Sequence, residues 1–95
     1  MSDLSPAVTA DVTVRLVYLA RLREAFGRAD ETLVLSGRPV VADVIAALAA
    51  RGDPFAHELA PGRAVRVAVN QAIVAATHVV RDGDEVALLP PVTGG

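Results

Sequence analysis

A chain of 95 residues, 53% of them hydrophobic, makes one domain with a modest core and leaves little room for a second. Its net charge of −2 gives no electrostatic reason to expect nucleic acid, whose phosphates demand clustered basic side chains. No run of about 18 apolar residues is present, so no membrane span is expected.

Cysteine is absent, which removes disulfides, thiol nucleophiles, iron–sulfur ligation and persulfide carriage in one step. Lysine is absent too, and all nine basic residues are Arg. The side chains therefore offer no amine for an isopeptide bond or a Schiff base. The opening "MSDLSPAVTADVT" lacks the basic start and apolar stretch of a secretory signal, so a soluble cytoplasmic protein is expected.

Residues 1–11 mix Ser, Asp, Pro and Ala without periodicity and read as a flexible N-terminal extension. "VTVRLVY" (12–18) alternates, with Val12, Val14, Leu16 and Tyr18 on one face, and reads as a strand. In "LARLREAFG", Leu19, Leu22 and Phe26 fall at helical spacing before Gly27, which suggests one or two turns closed by a glycine. "ETLVL" (31–35) is a second strand. The clearest helix is "VVADVIAALAARG" (40–52), where Val41, Val44, Ile45, Leu48 and Ala49 form a stripe that buries one face. Val40 stands where a Ser or Thr would cap. Asp43 suits the reciprocal half of a capping box, and the missing cap is expected to cost about 1 kcal/mol.

"DPFAHELAPGR" (53–63) reads as a loop with one turn near "FAHEL". "AVRVAVN" (64–70) alternates again and is expected to be a central strand, followed by a tight turn at Asn70-Gln71 and the strand "QAIVA". A turn at Asp82-Gly83-Asp84 leads into the last strand, Glu85–Leu89. One amphipathic helix against one mixed sheet is a two-layer α+β domain, and the order of elements matches a ubiquitin-like β-grasp spanning residues 12–89.

Residues 90–95, "PPVTGG", have a composition of their own. Pro90 and Pro91 favour an extended course that projects from the sheet. Val92 and Thr93 are β-branched and prefer extension as well. Gly94 and Gly95 lack side chains, so backbone and carboxylate can enter a passage too narrow for a Cβ. Six extended residues reach at most about 20 Å, enough to deliver a carboxylate into a second protein's active site. Activated as an acyl-adenylate, that carboxylate becomes open to a sulfur donor, and the product is a thiocarboxylate that needs no cysteine.

"DGDEVALLPPVTGG" (82–95) resembles the C-terminal signature of the small, sulfur-carrying subunits of molybdopterin synthase, in the MoaD/ThiS group of ubiquitin-like proteins. "VRLVYLARLREAFG" (14–27) is similar to that family's opening strand and short helix, and "VAVNQAIV" (67–74) to its middle strand and turn. The resemblance covers about residues 12–95. It implies a carrier with no bound cofactor, whose terminal glycine is adenylated by an activating enzyme that consumes ATP and then thiocarboxylated through a sulfurtransferase route. It further implies a heterotetramer with a catalytic large subunit, where sulfur passes to precursor Z (cyclic pyranopterin monophosphate). By position, Gly95 would carry the acyl and thiocarboxylate groups, with Gly94 its slim neighbour and Pro90, Pro91, Val92 and Thr93 the channel-binding stretch. A sulfur carrier for thiamin thiazole synthesis, a ubiquitin-like protein modifier and an inert interaction module remain as alternatives.

Other candidates are weaker. The last strand is apolar on both faces, which fits either a central strand covered on both sides or a partner-docking patch of Leu89 with Ile73; the patch is favoured. Asp82, Asp84 and Glu85 read as solvated turn residues that lack calcium-loop spacing. His57 and His78 stand alone, so no metal site is expected. The serines sit in no triad-like setting, and "SGRP" is not a phosphate loop.

Overall fold

The computed structural model describes residues 11–91. Five strands, β1 (Asp11–Tyr18), β2 (Asp30–Ser36), β3 (Arg66–Val69), β4 (Ala72–Val74) and β5 (Glu85–Leu89), form one sheet in the order β2-β1-β5-β3-β4. Helices α1 (Arg21–Phe26), α2 (Val41–Ala49) and α3 (Phe55–Glu58) lie between them in sequence. β1 pairs in parallel with β5, and the remaining pairings are antiparallel. The mixed sheet packed on one main helix therefore stands as expected. β1 begins at Asp11, which pairs with Ser36, one residue into the segment read as an extension.

Alternation decides which face is buried. Val14, Leu16 and Tyr18 of β1, Val67 and Val69 of β3, and Val86 and Leu88 of β5 point into one core with Leu22 and Phe26 of α1 and Val41, Val44 and Leu48 of α2. Each such side chain contributes about 1.5–3 kcal/mol by leaving water. All three aromatic rings of the chain meet beside this core, with Phe26 stacked on Phe55 at 4.3 Å and edge-on to Tyr18 at 4.8 Å. The Arg51 guanidinium sits 5.0 Å over Phe55.

The local expectations hold with informative differences. Gly27 closes α1 in the left-handed region (φ 72°), donating its N–H to the Arg23 and Glu24 carbonyls. Leu19 is not part of that helix. It is 39% exposed, because its N–H continues the sheet by donating to the Leu88 carbonyl at 3.2 Å. Asn70 and Gln71 both take positive φ, 50° and 75°, as a two-residue hairpin turn between β3 and β4 requires.

The start of α2 lacks a side-chain cap, as expected, but the orphan donors are not left open. The Val41 and Ala42 N–H groups donate to the His78 and Ala76 carbonyls at 2.9 and 3.0 Å. Asp43 Oδ2 accepts the Val40 N–H at 2.7 Å. Backbone from the segment before β5 thus supplies what a Ser or Thr would have given.

Candidate functional site

β5 is central, held by β1 on one side and β3 on the other. It passes without a turn into Pro90 and Pro91, both half-buried. The base of the tail is therefore fixed by two neighbouring strands and by the Leu19–Leu88 hydrogen bond. Pro90 and Pro91 stand at this exit, whereas Val92, Thr93, Gly94 and Gly95 lie outside the described residues.

The side of the sheet away from the core carries the candidate docking patch. Pairing runs Val17–Ala87–Ala68–Ile73 across four strands, and Leu89 stands opposite Arg66 one step further along. Ala68 and Ala87 are each 8% exposed and make a low apolar floor. Ile73 is 57% exposed, and Leu89 is half-buried. These two residues share a face but not a contact: β3 lies between their strands, which separates them by about 10 Å sideways. The apolar character of β5 thus has two causes, a core on one face and a small-residue floor on the other.

Charge on this face is arranged unevenly. Arg15 lies 3.1 Å from Asp30 and 3.7 Å from Glu85. Arg66 is exposed.

The Asp82–Glu85 turn is structural. Asp82 Oδ1 accepts the Thr13 N–H at 2.8 Å, and Asp84 accepts from the Arg81 N–H and the Asn70 amide. His57 lies 3.5 Å from Arg63, while His78 contributes its carbonyl to α2. Among the described residues no His, Asp and Glu gather into a metal-binding group. No helix there is long and apolar enough to cross a membrane. A groove of about 400 Å³ lined by Val12, Arg38, Val79 and Arg81 opens at the opposite end of β5 from the tail.

Residue spacing carries no sign of one further cluster. Glu31, on β2, accepts the Tyr18 hydroxyl at 2.6 Å, a two-pronged contact from Arg51 at 2.9 and 3.1 Å, and Arg28 at 3.1 Å. Burial pushes its carboxyl upward, but the Arg51 and Tyr18 hydrogen bonds outweigh this and hold it below the ordinary value. Burial first, and then the bond to Glu31, pushes the Tyr18 hydroxyl well above its usual range, so it remains a donor. Its signal was only a polar tip on an otherwise inward-facing Tyr.

A sheet of this order, with one main helix across it and a tail leaving the central strand, defines a ubiquitin-like β-grasp domain. The chain belongs to the ThiS family, whose profile matches residues 16–95. It is 40% identical to the molybdopterin synthase sulfur carrier subunit of Escherichia coli (strain K12) over 82 residues, 86% of this chain and 99% of that protein. Among solved structures, a putative molybdopterin converting factor subunit 1 from Pyrococcus furiosus is 32% identical, with TM-score 0.74 over 85% of this chain and 99% of its own. The small archaeal modifier protein SAMP1 from Haloferax volcanii is 27% identical, with TM-score 0.68 over 87% and 99%.

Proposed function

We propose that this protein is the sulfur carrier of a molybdopterin synthase, with the Gly95 carbonyl as its reactive group. The single observation that carries the reading is the exit of the tail. A central strand, clamped on both edges, runs directly into Pro90 and Pro91, so the domain presents the start of the tail from a fixed point, and two consecutive prolines favour an extended course there. The 40% identity to a sulfur carrier subunit over nearly its whole length supports the same role.

In this reading an activating enzyme lets the Gly95 carboxylate attack the α-phosphate of ATP, forming the acyl-adenylate and releasing pyrophosphate. A persulfide on a sulfurtransferase then attacks the acyl carbon and AMP leaves; a second thiol cleaves the resulting acyl disulfide, forming a disulfide with the donor and releasing the thiocarboxylate. The tail enters the large subunit of a heterotetramer, where sulfur passes to precursor Z and water restores the carboxylate. The chain itself supplies reach, a slim terminus at Gly94 and Gly95, and grip through Pro90 to Thr93. The absence of Cys and Lys leaves no side-chain thiol or amine of its own to capture the activated carbonyl. The Haloferax likeness keeps a protein-modifier role as the second reading.

Intact-mass measurement of protein taken from its native cell tests this directly. A carrier is expected to show a gain equal to sulfur replacing one oxygen, localised to Gly95, and deletion of Gly95 is expected to abolish cofactor assembly. Full assembly activity without Gly95 would end the proposal, and covalent adducts to other proteins would favour a modifier.

A further inference from the structure

We infer that Arg66 is a specificity-determining contact for the protein that receives the tail, and that this receiver presents a carboxylate opposite it. The inference rests on the sulfur-carrier reading above.

Arg15, Arg21, Arg28, Arg51 and Arg63 each lie 3.7 Å or closer to a carboxylate. Arg66, like Arg23, Arg38 and Arg81, has no such partner among the described residues, and it is exposed. Its place is particular: it stands directly opposite Leu89 in the β3–β5 pairing, and opposed side chains share one face at about 5 Å between Cβ atoms. Leu89 is the last residue of β5 before Pro90. A protein that takes in the extended tail must bring the rim of its channel against this strand end.

The surface it meets is apolar along Ala87, Ala68 and Leu89, and among the described residues Arg66 is the one guanidinium at the tail base without a carboxylate beside it. Arg15, further back on the same face, is already paired with Asp30 at 3.1 Å and lies 3.7 Å from Glu85. Covering Arg66 without a counter-charge would strand a desolvated cation, which is strongly unfavourable. A carboxylate on the receiver converts that penalty into a charge-assisted, directional bond. It also rejects receivers whose rim is basic or wholly apolar.

The test titrates the molybdopterin synthase large subunit from the same cell with the wild-type chain, R66E, R66Q and, as a far-end control, R38E. At low salt (about 50 mM), R66E is expected to bind about tenfold or more weakly than wild type, with R66Q between them and R38E unchanged. The gap should narrow in about 500 mM salt, which a merely structural role would not produce. Thermal melting checks that the exposed substitutions leave the fold intact, and R66Q serves if R66E does not fold. Equal binding by R66E and wild type at low salt overturns the inference while leaving the carrier reading in place. So does a deficit that salt does not change. Failure of the wild-type chain itself to bind the large subunit overturns both.

Discussion

Glu31 holds together parts of the chain that share no sequence neighbourhood. Through Tyr18, Arg28 and Arg51 it ties β1 and β2 to the segment that follows α2, and Arg51 carries the link on to Phe55. Because its carboxyl is held below the ordinary 4.5, the ionised form stabilises the fold at neutral pH. That contribution is present above the unfolded value and is lost as pH falls through the lower folded one. Glu31→Gln is expected to cost about 2 kcal/mol at pH 7 in urea unfolding. The same variant should lose less than wild type between pH 5 and pH 3, and an unchanged acid limb would count against the cluster. None of this was legible from spacing. Residues 18, 31 and 51 follow no common period, and their meeting depends on how the sheet and helix pack.

The elements themselves were legible wherever one face had to be buried. The stripe Val41, Val44 and Leu48 located α2, and alternation located β1 and β3, because a helix or strand in the wrong register would turn apolar side chains to water. The positive-φ turn at Asn70-Gln71 was readable from Asn alone. What one element does for another was not. The uncapped start of α2 pointed to a deficit, whereas the Ala76 and His78 carbonyls satisfy its first donors. Introducing the cap should therefore gain little. Val40→Ser is expected to change stability by less than about 0.5 kcal/mol, since Ala42 and Asp43 already have acceptors and the Val40–Val79 bridge loses apolar cover. Asp43→Ala removes the acceptor of the Val40 N–H and is expected to cost about 1 kcal/mol. Thermal melts of the two variants should rank them in that order. Likewise, Leu89 and Ile73 were read as one patch; they share a face, but sequence could not place β3 between them.

At the scale of the whole molecule, folding and chemistry are assigned to separate stretches. The packed core draws on residues from Val14 to Leu88, while the proposed reactive carbonyl belongs to Gly95. A variant extended by a few residues beyond Gly95 is accordingly expected to melt within about 2 °C of wild type yet form no thiocarboxylate. A large drop in melting temperature would mean that the tail is also a structural part. The parallel pairing of β1 with β5 has a consequence for synthesis. Arg15 finds Glu85 only after some seventy intervening residues have been made, and contacts this distant form late. On the ribosome, the sheet must wait for its middle strand, leaving a gap between β1 and β3 until then. Fragments released early would lack both a closed core and the proposed reactive glycine. Because Pro90 and the proposed reactive segment follow β5 directly, completion of the sheet precedes display of that segment.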